Sequence, residues 1–149
     1  MADVLFYHLV RRNLDAVLPE LLERTLARQW KAVVKVGDEE RIADLDRHLW
    51  TYADDSFLPH GTADLGHPEA QPIFLTADDA RPNGAEVLFL VLGAEADGAD
   101  GYERWVDLFD GNDETAVSAA RGRYKAAKDA GHTVTYWAEN EQGKFEQKG

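Results

Sequence analysis

The apolar positions of this chain alternate between short dense runs and helical repeats. From Asp3 to Val10, Val, Leu, Phe and Tyr crowd into one run that predicts a buried strand starting almost at the first residue. Asn13 then offers a helix cap. Leu14, Val17, Leu18, Leu21, Leu22 and Leu26 recur at helical spacing and predict a helix from Leu14 to Trp30. Pro19 is awkward at that depth, because it lacks an N–H, and draws the expected start toward itself. Ala32 to Val36 reads as a second strand closed by Gly37. Asp38 caps a second helix that carries Ile42, Leu45 and Leu49 and finishes at Trp50. Strand, helix, strand, helix predicts a parallel pair joined by a crossover, hence an α/β fold.

The segment from Thr51 to Asp79 has no period, and its aromatics sit among Pro and Gly, which is loop rather than helix-face chemistry. Pro72 to Thr76 reads as a short strand. Ala85 to Leu92 is the most continuous apolar run and predicts a central strand covered on both faces. A Gly- and Asp-rich linker, Gly93 to Gly101, leads to Tyr102 to Phe109, where a short helical turn feeding another strand is expected. Asp113 or Asn112 caps a third helix that runs to Gly131, and Thr133 to Trp137 is a last strand. The predicted architecture is a single α/β domain, residues 1–138, with an open, mostly parallel (mixed) twisted sheet and helices on both faces. Residues 139–149 are polar and expected to fray.

Composition narrows the function. The chain has 149 residues, a net charge of −12 and no cysteine, so disulfides and thiolate metal sites are excluded. Most of such a surface repels a phosphate backbone, which argues against strong direct nucleic-acid binding. Met1-Ala2-Asp3-Val4 carries no basic leader region and no apolar run approaches the roughly 18 residues of a membrane span, so a cytoplasmic protein without membrane contact is expected. The sheet is nucleotide-binding-like, yet G-x-x-x-x-G-K-[ST], G-x-G-x-x-G and G-x-S-x-G are all missing, leaving no glycine loop to cradle a phosphate. No catalytic residue, cofactor or metal is assigned: His60, Asp64 and His67 match no standard ligand spacing, and Asp110-Gly111-Asn112-Asp113 lacks the calcium-loop pattern. A small metal-dependent α/β hydrolase or phosphatase using the Asp-rich loops is the alternative reading.

One stretch reverses the charge. Ala119 to Gly131 carries four of the sixteen Lys and Arg against one Asp, a local +3 that leaves −15 on the remainder. On a helix, Arg121, Tyr124, Lys125 and Lys128 obey the i, i+3, i+4, i+7 rule and share a face, while Arg123 points elsewhere. A solvated basic helix face would account for this stripe; so would a receptor for an anionic partner.

Taken together, Leu5-Phe6-Tyr7, Ala43-x-Leu45-Asp46-x-x-Leu49-Trp50, Ser56-Phe57-Leu58-Pro59-His60 and Arg121-x-x-Tyr124-Lys125-Ala126-x-Lys128-x-Ala130-Gly131 give the chain a resemblance to the chi subunit of bacterial DNA polymerase III along nearly its whole length. The resemblance implies a non-catalytic clamp-loader accessory that binds no nucleotide. It implies two partners: the psi subunit, or a helicase in its place, and the acidic C-terminal tail of single-stranded DNA-binding protein. It places Arg121, Tyr124, Lys125 and Lys128 at the tail site and Trp50, Phe57, Pro59 and His60 at the psi or helicase site. Ala127 departs from relatives that carry an aromatic there, as does the polar extension beyond Trp137.

Overall fold

A computed structural model describes residues 3–10, 14–51, 60–62, 71–78, 81–95, 102–142 and 144–148, with backbone alone at 50–51 and 60–62. Among the described residues the strands are β1 (Asp3–Leu9), β2 (Ala32–Val36), β3 (His60–Thr62), β4 (Ile73–Thr76), β5 (Val87–Val91), β6 (Arg104–Asp110), β7 (Thr133–Glu139) and β8 (Phe145–Gln147). Three α-helices accompany them: α1 (Leu14–Ala27), α2 (Ile42–Thr51) and α3 (Glu114–Asp129). The strands form one sheet in the order β3-β4-β2-β5-β6-β1-β7-β8. Every pairing is parallel except β7 with β8. The fold is therefore the expected mixed, mostly parallel α/β sheet. The crossover β1-α1-β2 links parallel strands that are not neighbours, since β6 and β5 lie between them.

The helices divide between the faces. Val17, Leu18, Leu21 and Leu22 of α1 and Leu45 and Leu49 of α2 are buried with Val34, Val36, Phe89 and Leu108 on one face, each fully buried aliphatic side chain contributing about 1.5–3 kcal/mol. On the other, Ala120 and Ala127 of α3 are buried with Val4, Phe6 and Phe109. Strand β5 is buried at every position because Phe89 faces one layer while Leu88 and Leu90 face the other.

Four local expectations are corrected. Helix α1 includes Pro19 instead of starting near it. The carbonyl of Asp15, deprived of a donor by the proline ring, accepts from His48 Nε2 of α2 at 2.6 Å. The same helix ends at Ala27, short of Trp30, because Gln29 takes φ 64° and the Trp30 N–H returns to the Thr25 carbonyl at 3.2 Å. Among the described residues no helical turn precedes β6, which is extended from Arg104 onward. Beyond residue 138 the chain does not simply fray: Asn140 Oδ1 accepts from the Gln142 and Lys144 N–H groups, and the turn returns Phe145 edge-on to Tyr7, ring centroids 4.8 Å apart. Asp38 acts as expected, accepting from the Glu40 N–H at 3.0 Å over a short 3-10 turn, Glu39–Arg41, that leads into α2. The proposed Asn13 cap lies outside the described residues.

Candidate functional site

Helix α3 stands where it does because of a row of three side chains across the sheet. Phe6 of β1 is in register with Asp107 of β6 on one side and Tyr136 of β7 on the other. All three therefore project toward α3. Consecutive residues of the helix seize the two ends of this row. Arg123 Nε donates to Asp107 Oδ2 at 2.6 Å and Nη2 donates to Oδ1 at 3.1 Å, a two-point ion pair whose aspartate is 1% exposed. Burial pushes the Asp107 carboxyl above its ordinary range, and the Arg123 guanidinium draws it part of the way back. Tyr124 packs on Phe6 at 5.5 Å and meets Tyr136 at 6.5 Å. Asp113 caps the helix start through the Thr115 and Ala116 N–H groups, and Gly131, at φ 90°, supplies the left-handed stop.

The basic stripe follows from this clamp. With Ala120 and Ala127 buried, Arg121 and Lys128 flank the half-buried Tyr124 and Lys125 lies farther into solvent; all three cations are exposed. Lys128 Nζ sits over the Tyr124 ring, 5.4 Å from its centroid. The structure thus brings Arg121, Tyr124, Lys125 and Lys128 to one side of α3 and turns Arg123 to the other. The stripe lies above the outer strands, and neither the 620 Å³ nor the 420 Å³ cavity flanking the helix is lined by any of the four.

The larger cavity opens at the carboxyl ends of β1, β5 and β6, where α1 and α3 leave toward opposite faces. This is the crevice in which open α/β sheets hold ligands. Asp15, Asp44, Asp110 and Asp113 line it with Arg41 and Arg123. Two of these carboxylates are engaged by backbone: Asp113 caps α3, and Asp110 Oδ1 accepts from the Asn112 N–H at 2.9 Å. Among the described residues no group of three or more His, Cys, Asp or Glu is placed to hold a metal ion. The hydrolase alternative therefore gains no support from the described donor set.

Of the second candidate cluster, Trp50 lies in the last turn of α2 and His60 opens β3, each described by its backbone alone; Phe57 and Pro59 lie outside the described residues, as do Asp64 and His67. Sequence reasoning missed His8 and Tyr136. Tyr136 closes the row beneath α3, and its hydroxyl is hydrogen-bonded with His8 Nδ1. The signal was faint, since the two residues are 128 positions apart and meet only through the β1–β7 register.

Fold and site together define a doubly wound α/β domain that lacks a phosphate-binding loop and presents a basic, aromatic helix face from an acidic body. The profile of the family described as "DNA polymerase III chi subunit, HolC" matches residues 1–135, and the chain belongs to that family. It is also similar to a protein of Rickettsia prowazekii (strain Madrid E) named "Probable DNA polymerase III subunit chi", with 30% identity over 91 residues, 61% of this chain. The match spans 55% of that relative's length. No helix among the described residues is long and apolar enough to cross a membrane.

Proposed function

We propose that this chain is a non-catalytic accessory subunit of the clamp loader of the replicative DNA polymerase III, working in the cytoplasm. It bridges the holoenzyme to single-stranded DNA-binding protein by holding that protein's acidic C-terminal tail. The observation that carries this reading is the exposed stripe of Arg121, Lys125 and Lys128 beside Tyr124, an isolated cationic face on a chain of net charge −12. Arg121 grips the terminal carboxylate, because a planar guanidinium offers two parallel donors where a lysine offers a point charge. Tyr124 walls the apolar end of the peptide. Lys125 and Lys128 meet upstream aspartates and speed the encounter more than they tighten the complex. The acidic background repels such a peptide elsewhere, which favours one binding register.

On the same reading, Trp50, Phe57, Pro59 and His60 form the docking surface for psi or a helicase, with no strong direct binding of nucleic acid and no membrane contact. The test is capture of the purified chain on immobilised single-stranded DNA-binding protein, intact or lacking its C-terminal tail. Capture by the intact protein alone is expected. Equal capture by both would move the contact away from the tail and defeat the proposal.

A further inference from the structure

The aromatic row under α3 ends in a polar group that the stripe alone does not use. Tyr136 is half-buried among Tyr124 at 6.5 Å and Phe109 at 6.3 Å, and its hydroxyl is tied to His8 Nδ1. The His8 ring is itself fixed. It packs at 5.1 Å from Phe109, and Gly111 presses against it so closely that a Cβ at position 111 would collide with the imidazole. Helix α3 returns antiparallel to β6 and β7, so Arg121 lies one turn nearer the carboxyl ends of the strands than Tyr124, on the side of His8. Its positive charge acts on the Tyr136 phenol.

We propose that the Tyr136 hydroxyl, positioned by His8, is a second anion-binding group of this site and donates a hydrogen bond to the terminal carboxylate of the acidic peptide beside Arg121. This deepens the tail-binding reading and rests on it. The proton count requires a particular arrangement. A phenol has one proton to donate and lone pairs to accept with. With the Nδ1–H form of His8 donating inward to Oη, the phenolic proton is released outward toward the ligand. Burial pushes the Tyr136 phenol above its ordinary range while Arg121 draws it back, so the hydroxyl keeps its proton, and its role as donor, at neutral pH. An arginine fork and a phenol converging on one carboxylate would select a free chain terminus over an aspartate side chain in the middle of the peptide, because a terminus can enter end-on against the Tyr124 wall.

The test compares two synthetic Asp-rich peptides ending in a single leucine, one with a free α-carboxylate and one amidated, titrated by calorimetry into the wild type, Arg121→Ala and Tyr136→Phe. The Phe variant keeps the ring and its packing, and its melting temperature verifies that the fold is retained. Tyr136→Phe is expected to weaken the free-acid peptide about tenfold or more, in line with a hydrogen bond to a charged group, and to leave the amidated peptide within twofold of wild type. If the wild type binds and Arg121→Ala weakens binding, but Tyr136→Phe matches wild type on both peptides, the Tyr136 assignment falls and the α3 site stands. Equal weakening of both peptides by Tyr136→Phe would also overturn it, since the hydroxyl would then not be reading the carboxylate. If the wild type binds neither peptide, both readings fall together.

Discussion

Arg123 and Asp107 meet beneath α3 as a two-point ion pair, 2.6 Å and 3.1 Å, while the next residue of the helix, Tyr124, turns onto Phe6 and Tyr136. Neighbouring side chains thus hold the helix by opposite ends of one row, and the rotation they impose leaves Arg121, Lys125 and Lys128 exposed on a single side. The exposed stripe and the helix anchor are two consequences of the same packing.

Replacing Arg123 with Met should therefore cost about 3–5 kcal/mol, the typical penalty for stranding a buried carboxylate. Asp107 already has a raised folded-state pKa, and losing its partner raises it further. Such a group contributes stability below its unfolded pKa and loses it as pH rises through the folded value, so the deficit of Arg123→Met against wild type should narrow toward acid pH. Chemical denaturation at neutral and acid pH checks this. A deficit that stays constant or widens on acidification would contradict it.

The His48 contact with the Asp15 carbonyl predicts a non-additive pair. His48→Ala should cost about 1 kcal/mol in the wild type, the scale of one hydrogen bond, and less in a Pro19→Ala background, where a restored N–H can serve the same carbonyl. Denaturant midpoints of the four proteins give the coupling. Strict additivity would mean that His48 does not stand in for the missing donor.

Strand β8 is held by Phe145 against Tyr7, on the face opposite α3. Phe145→Ala should lower stability by about 1–2 kcal/mol, given a half-buried aromatic pair, and leave acidic-peptide affinity unchanged. Thermal melts together with a peptide titration separate the two effects. A full-strength melt would show that the 139–149 segment adds nothing to the fold.

For the second surface, Phe57→Ala should stay folded and lose psi or the helicase in a pull-down, as truncated aromatic anchors commonly lose about 2 kcal/mol or more of binding. Early melting with retained capture would identify Phe57 as core and remove it from the interface.

Much of this architecture was legible in the chain. Helices α1 and α2 and strands β1, β2 and β5 follow from apolar periodicity, and α3 from its cap, its stop and its alanines. Strands β3 and β8 escaped because three residues carry no measurable period; they are strands only because neighbours offer an edge. The start of β6 reads as a helical turn in the sequence, since Arg104 and Asp107 break the strand pattern with polar residues, and Asp107 reads as surface until Arg123 is seen to neutralise it. The candidate site divides the same way. Arg121, Tyr124, Lys125 and Lys128 lie within one helix, where spacing predicts a shared face. The His8–Tyr136 pair depends on two strands coming into register from opposite ends of the chain, which local spacing does not encode.

The most direct measurement of the central claim is calorimetric titration of an acidic peptide with the tail's chemistry into wild type, Arg121→Ala and Lys128→Ala at two salt concentrations. Arg121→Ala should weaken binding at least tenfold, about 1.4 kcal/mol, and Lys128→Ala by less. The Lys128 effect should fade as salt shortens the screening length. Wild-type binding that is absent at low salt, or that survives Arg121→Ala and Lys125→Ala combined, would reduce the α3 stripe to a solvated helix face.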